Sequence, residues 1–121
     1  MSEIIIKPYN PDDAIKLCGD ESKRPEANLN QTAGPAYSLF LDKKLIACGG
    51  VRIYGVGEMW LVTNDDCRKK HIKTILRASR EQIDLMIREN SLWRLLAETK
   101  ISGNFLEHLG FVKSDKKLYT R

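Results

Sequence analysis

"EMWLVTNDDCRKKHIKTIL", residues 58–76, joins a mostly apolar run to a helical pattern through a dense patch of charge. Glu58-Met59-Trp60-Leu61-Val62 is apolar on both faces of an extended chain, which predicts a central strand covered on both sides. Beyond it, Ile72, Ile75, Leu76, Ile83, Met86 and Ile87 recur at helical spacing and make one apolar stripe. Lys73, Arg77, Arg80, Asp84 and Arg88 fall on the opposite face. The junction itself holds Arg68, Lys69, Lys70, His71 and Lys73. A helix start presents free N–H groups and a positive dipole end, so such a junction reads as a place for an anion. Many phosphate-binding junctions are rich in glycine, and this one has none. Three readings follow: a phosphate site, a nucleic-acid patch, or a solvated helix start.

Charge distribution narrows the choice. The chain has 121 residues, enough to close one core, and a net charge of +4. From 67 to 80 there are six cations and no acid; the remainder holds 14 cations against 16 acids. The basicity is local and points to one anionic partner surface. A hydrophobic share of 42% beside 30% charged residues is that of a folded chain. Cys18, Cys48 and Cys67 form no CxxC pair, and two lie in apolar contexts, so they are expected to be reduced and structural. The first ten residues carry an acid and only three consecutive apolar residues, unlike a signal peptide. No apolar run approaches the roughly 18 residues that span a membrane. A cytoplasmic protein without membrane partners is expected.

Working outward, residues 3–7 read as a short strand. Asn10-Pro11-Asp12-Asp13 is a helix start, with a capping Asn, Pro at the first position and acids in the first turn. Ala14, Ile15, Leu17 and Cys18 are the expected buried face, and Gly19 the stop. Residues 20–35 are polar with two prolines and read as a loop holding at most one short irregular helix. A hairpin follows over 36–52, turning at Asp42-Lys43-Lys44, with a bulge or bend expected at Gly49-Gly50 and a glycine connection at 55–57. Downstream, 93–97 reads as a strand and Asn104 to Leu109 as a short helix capped by Ser102 and closed by Gly110. Two short strands, 111–113 and 117–120, close the chain around a turn at 114–116. The order is β-α-loop-β-β-β-α-β-α-β-β, an α+β single domain (1–121) with a mixed central sheet flanked by helices.

That order, with "NFLEHLGF" at 104–111 after the last apolar strand run, resembles the GNAT N-acyltransferase superfamily. In these enzymes a central strand leads through an R-x-x-G-x-G/A loop, whose backbone N–H groups hold the pyrophosphate of acyl-coenzyme A, into a long helix. Here "RKKHIK" lies where that loop is common, and Leu109-Gly110-Phe111 matches the family's "GF" ending. The resemblance implies that strands 58–62 and 93–97 splay apart to admit the coenzyme. It implies acetyl-CoA as cofactor and an amine as acceptor, with Leu61, Val62, Arg68, Lys69, Lys70, His71, Ile72 and Lys73 at the cofactor. Glu58, the acid of the central strand, is the candidate catalytic base. The family's proton-donating Tyr, four residues before the Gly of "GF", is here Leu106, and neither it nor Phe105 donates a proton.

Other constellations carry less. Cys67 and His71 are four apart, but no third member or metal-type spacing accompanies them, so no metal site is expected. Trp60 and Trp93 sit in strand-like runs and read as core, and His108 reads as a surface residue. No helix-turn-helix, zinc or RNA-recognition pattern accompanies the basic run, so nucleic acid is not the expected partner. Within GNAT-like proteins, "ACGG" at 47–50 and "MWLVTND" at 59–65 resemble small versions encoded by tailed phages. That likeness implies the host cytoplasm as location. Two functions compete: an acyl-CoA-dependent N-acetyltransferase with an altered phosphate grip, and a non-catalytic interaction protein, with a protein partner, in virion morphogenesis or host takeover.

Overall fold

A computed structural model describes residues 3–54, 56–90, 95–98, 106, 107, 109–113 and 118–121. Seven strands form one sheet in the order β1-β2-β3-β4-β5-β7-β6. These are β1 (Ile4–Pro8), β2 (Ala36–Leu41), β3 (Lys44–Tyr54), β4 (Val56–Val62), β5 (Leu95–Glu98), β6 (Val112–Lys113) and β7 (Leu118–Thr120). β4 and β5 are parallel; every other neighbouring pair is antiparallel. The helices are α1 (Pro11–Cys18), α2 (Arg24–Thr32) and α3 (Asp65–Glu89), with a 3-10 turn at Glu21–Lys23. The expected α+β class with a mixed central sheet is what the chain forms.

The sheet buries both faces, as the apolar central strand required. On one face the hydroxyl of Tyr37 (β2) meets Ser79 Oγ (α3) at 2.9 Å, both buried. The strand period of two puts Leu39, Val51 and Met59 on this side, beneath the buried Ile75, Ala78 and Ile83 of α3. On the other face the Tyr9 ring meets Trp60 (β4) edge-on at 4.9 Å. The Tyr9 hydroxyl donates to the Ala27 carbonyl of α2 at 2.9 Å, tying that helix down.

Local signals explain most helix ends. Asn10 Oδ1 accepts the Asp12 N–H at 2.9 Å with Pro11 at the first turn, and Gly19 closes α1 at φ 67°. Near the C-terminus, Gly110 (φ 91°) and Phe111 donate backbone hydrogen bonds to Glu107 and Leu106, the paired 5→2 and 6→1 bonds of a glycine-closed helix end. Trp93, Ser102, Asn104, Phe105, His108 and 114–116 lie outside the described residues.

Several expectations need correction. Cys18 is exposed; Pro11, Ala14 and Leu17 form the buried face of α1. The one short helix allowed within 20–35 is present and regular, over residues 24–32; it is started by Pro25 and buried only at Ala27 and Asn30, too little apolar surface to show as a stripe. β3 runs unbroken through Gly49-Gly50, and the register shift falls between Leu39 and Phe40 instead. Those glycines serve close approach: a Cβ on Gly49 would lie 2.7 Å from Tyr37 Oη, and one on Gly50 would lie 2.5 Å from the Pro35 carbonyl oxygen. Val56 and Gly57 belong to β4, with Val56 opposite Tyr54, so the expected 55–57 connection is strand from Val56 on.

One feature of the sheet positions the site. Among the described residues β4 and β5 pair at Gly57↔Leu95 and Glu58↔Leu96. From Met59 onward the ladder between them ends among the described residues, at the place where the resemblance implies a splay.

Candidate functional site

The helix that begins at the end of β4 starts earlier than its apolar stripe suggests. Asn64 (φ −131°, ψ 169°) accepts the Cys67 N–H on its Oδ1 at 2.8 Å, and Asp65 and Asp66 fill the first turn. A capping Asn followed by two acids is a strong start signal, and it draws the basic run into α3 as helix. The helix is then broken at His71 (φ −128°, ψ 22°), so two helical segments meet there. That break falls where the family loop carries its first glycine, and its negative φ accommodates a side chain.

The acids of the first turn engage part of the basic run. Arg68 Nη2 lies 3.0 Å from Asp65 Oδ1, and Lys70 Nζ lies 3.2 Å from Asp66 Oδ1. Lys44 Nζ stands 3.8 Å from Asp66 Oδ2. The hydrogen bond and charge of Lys70, with lesser help from Lys44 and His71, hold the Asp66 carboxyl below its usual range. Lys69 and Lys73 are exposed, with no acidic partner within ion-pair distance among the described residues. Leu61 and Val62, at the end of β4, and Ile72, just past the break, are half-buried. Leu61, Val62 and the Arg68–Lys73 run therefore flank one corner, where β4 hands over to α3.

Glu58 sits at the other end of β4, about 13 Å back along the strand from Val62 at some 3.3 Å per residue. It lies directly opposite Arg52 of β3. Arg52 Nη1 donates to Glu58 Oε1 at 3.0 Å, Arg52 Nε to Asn30 Oδ1 at 2.6 Å, and Arg52 Nη2 to Glu26 Oε1 at 3.3 Å. The guanidinium thus links β4 to α2 with Glu58 half-buried, and no other hydrogen bond reaches that carboxylate among the described residues. Sequence reading missed this network. The register that sets Tyr54 opposite Val56 also sets Arg52 opposite Glu58. Two residues along the same face of β4, Trp60 Nε1 is buried without a hydrogen-bond partner among the described residues. Leu106, at the family's proton-donor position, is buried.

The remaining chemistry is sparse. An open hollow of about 540 Å³ lies between the end of α1, the β2–β3 turn and the first turn of α3, lined by Lys16, Lys43, Lys44, Asn64, Asp66 and Cys67 among others. It is on the β3 side of β4, away from β5. Among the described residues no cluster of His, Cys, Asp and Glu is assembled as for a metal. Cys48 and Cys67 are buried and unpaired, and burial pushes the Cys48 thiol up to about 12.

No protein-family profile and no curated protein sequence matches the chain. Solved structures do. A GNAT-family acetyltransferase from Bacillus anthracis superimposes with a TM-score of 0.71 at 15% identity, over 100% of this chain and 96% of the other. A ribosomal-protein-S5-alanine acetyltransferase from Vibrio fischeri gives 0.69 at 17% identity, over 100% and 96%. A mutant spermidine N-acetyltransferase from Vibrio cholerae gives 0.72 at 10% identity, over 98% and 92%. At such identities the likeness establishes the fold, and the fold is that of the GNAT acetyltransferases.

Proposed function

We propose that this chain is an N-acetyltransferase that moves an acetyl group from acetyl-CoA to an amine, with the coenzyme lying where β4 and β5 part. The observation that carries this reading is the end of the ladder between them: two paired positions and then none among the described residues, within a GNAT fold. Acetyl-CoA supplies a thioester-activated acyl group. The residues present fit it at the cleft, where the inner edge of β4 past Glu58 offers backbone groups without a β5 partner among the described residues. At the phosphate end the grip differs from a glycine loop. Lys69 and Lys73 stand free on either side of the His71 break, while Arg68 and Lys70 are shared with Asp65 and Asp66. In this reading Leu61 and Val62 line the approach and Ile72 anchors the second helical segment.

Glu58 takes the proton from the attacking amine, directly or through a water. Arg52 holds its Oε1, and Oε2 takes part in no hydrogen bond among the described residues. With Leu106 in place of a tyrosine, the departing thiolate takes its proton from solvent. The test is release of free thiol from acetyl-CoA in the presence of polyamine and peptide-amine acceptors. Glu58→Gln should lower kcat by roughly 10²–10⁴-fold with coenzyme affinity unchanged. Absence of both turnover and coenzyme binding would overturn the proposal.

A second reading has an observation of its own. The acids of the first turn neutralise two cations of the corner, and the Asn64 cap occupies the first-turn N–H of Cys67. That arrangement suits a GNAT-fold interaction protein with no coenzyme, of the kind the phage likeness implied. It expects no acetyl-CoA binding at millimolar concentration.

A further inference from the structure

The outward side of α3 carries a line of cations that starts at the coenzyme corner with Lys69 and Lys73 and continues beyond it with Arg77 and Arg80, which neither the fold nor the proposed chemistry uses. Lys69, Lys73, Arg77 and Arg80 are all exposed, and none has an acidic partner within ion-pair distance among the described residues. At about 100° per residue, Lys73, Arg77 and Arg80 fall within a sector of roughly 60°, and Lys69 precedes them across the His71 break. The four positions cover about 16 Å of helix at 1.5 Å per residue. Four acids lie nearby. Asp65 and Asp66, within one turn of Lys69, are taken by Arg68 and Lys70; Asp84, one turn past Arg80, is taken by Arg121; and Glu81 borders Arg77 without pairing to it among the described residues.

We propose that this face of α3 binds the phosphate backbone of duplex nucleic acid without reading its sequence. Charge complementarity names the partner. A length of about 16 Å of duplex carries on the order of ten phosphates, at one charge per 1.7 Å of axis with both strands counted, of which the near side meets the four cations. The face also lacks what other partners require. Among the described residues the exposed large apolar ones are Ile4, Ile6, Leu29, Tyr54 and Val112, and none lies on α3. A protein interface draws its energy from buried aromatic and apolar anchors, and a membrane-surface helix must insert an apolar face. Here the apolar face of α3 is packed on the sheet. Phosphate contacts need only cations and no recognition motif, so the missing base-reading pattern does not count against them.

The test is fluorescence anisotropy of a labelled 20-base-pair duplex of arbitrary sequence, titrated with the full chain at 50 and 200 mM salt. Four contacts give a log–log salt slope of about −3.6, a loss of affinity of about 150-fold between those salts. Arg77→Ala/Arg80→Ala, outside the coenzyme corner, should halve the slope to about −1.8 and reduce the loss to about 12-fold. An unchanged thermal melt shows that the variant is folded, and unchanged acetyl-CoA binding separates this result from the fate of the enzyme reading. No binding at 50 mM salt, a slope that ignores Arg77 and Arg80, or tighter binding to phosphatidylserine vesicles than to the duplex would each overturn the proposal.

Discussion

Gly49→Ala tests how closely β3 is fitted under α3. The added Cβ would lie 2.7 Å from Tyr37 Oη, 2.9 Å from Cζ and 3.0 Å from Cε1. The ring cannot swing aside freely, because Tyr37 is buried and its hydroxyl is bonded to buried Ser79. Overpacking of this kind costs about 1–3 kcal/mol. Displacing the hydroxyl adds about 1–3 kcal/mol by leaving Ser79 unpaired. Loss of glycine's freedom in the unfolded chain returns about 0.4–1 kcal/mol. The expected net is about 2–4 kcal/mol, read from the urea midpoint at constant m-value. The second arm is Tyr37→Leu, which lacks all three clashing atoms. In that background Gly49→Ala should cost less than about 0.5 kcal/mol, giving a coupling above 1 kcal/mol. A cheap Gly49→Ala in the native background, or additive behaviour of the pair, would refute the close-approach account and restore the glycine as a mere bend.

Ile75 is 1% exposed and sits at the centre of the α3 stripe, so Ile75→Ala should cost about 2–5 kcal/mol by chemical denaturation. A cost below 0.5 kcal/mol would mean that α3 is turned the wrong way. Alkaline pH should also weaken the fold. Burial raises the Cys48 thiol from its ordinary 9.0 and the Tyr37 phenol from 10.0, each to about 12. The unfolded chain loses these protons first, so stability is intact below about pH 9 and falls as pH rises through about 12. Each group contributes up to about 1.4 kcal/mol per pH unit. Cys48→Ala should remove its share of that slope whatever it does to the baseline; an unaltered slope between pH 9 and 11 contradicts the burial. In mild thiol alkylation of the folded chain, Cys18 should react first and Cys48 and Cys67 only on unfolding, a sequence that mass spectrometry reads directly.

What could be read from residues alone follows from how strongly each signal is local. The α3 stripe, the Asn10-Pro11 start and the Gly110 stop depend on neighbours a few positions away, and all three appear in the structure. The bounds and regularity of α2 were not legible because it buries only Ala27 and Asn30 while exposing Leu29, leaving no periodic stripe. The start of α3 was hidden by its own basic run: Asn64-Asp65-Asp66 is a capping signal, but the cations after it resembled a phosphate loop. Gly49-Gly50 looked like a bend because sequence does not reveal that Tyr37 and Pro35 crowd those positions from another strand. The pairing of Arg52 with Glu58 needed the register of β3 on β4, which composition and periodicity do not give.

The most direct test of the central claim is a calorimetric titration of the native chain with acetyl-CoA at low and moderate salt. The account predicts saturable one-to-one binding that weakens as salt is added, and a further loss in Lys69→Glu/Lys73→Glu, whose cations stand free beside the His71 break. Coenzyme at 100 times its Kd should also stabilise the fold by about 2.7 kcal/mol. No heat and no stabilisation at millimolar acetyl-CoA, or tight binding indifferent to Lys69, Lys73 and salt, would contradict it.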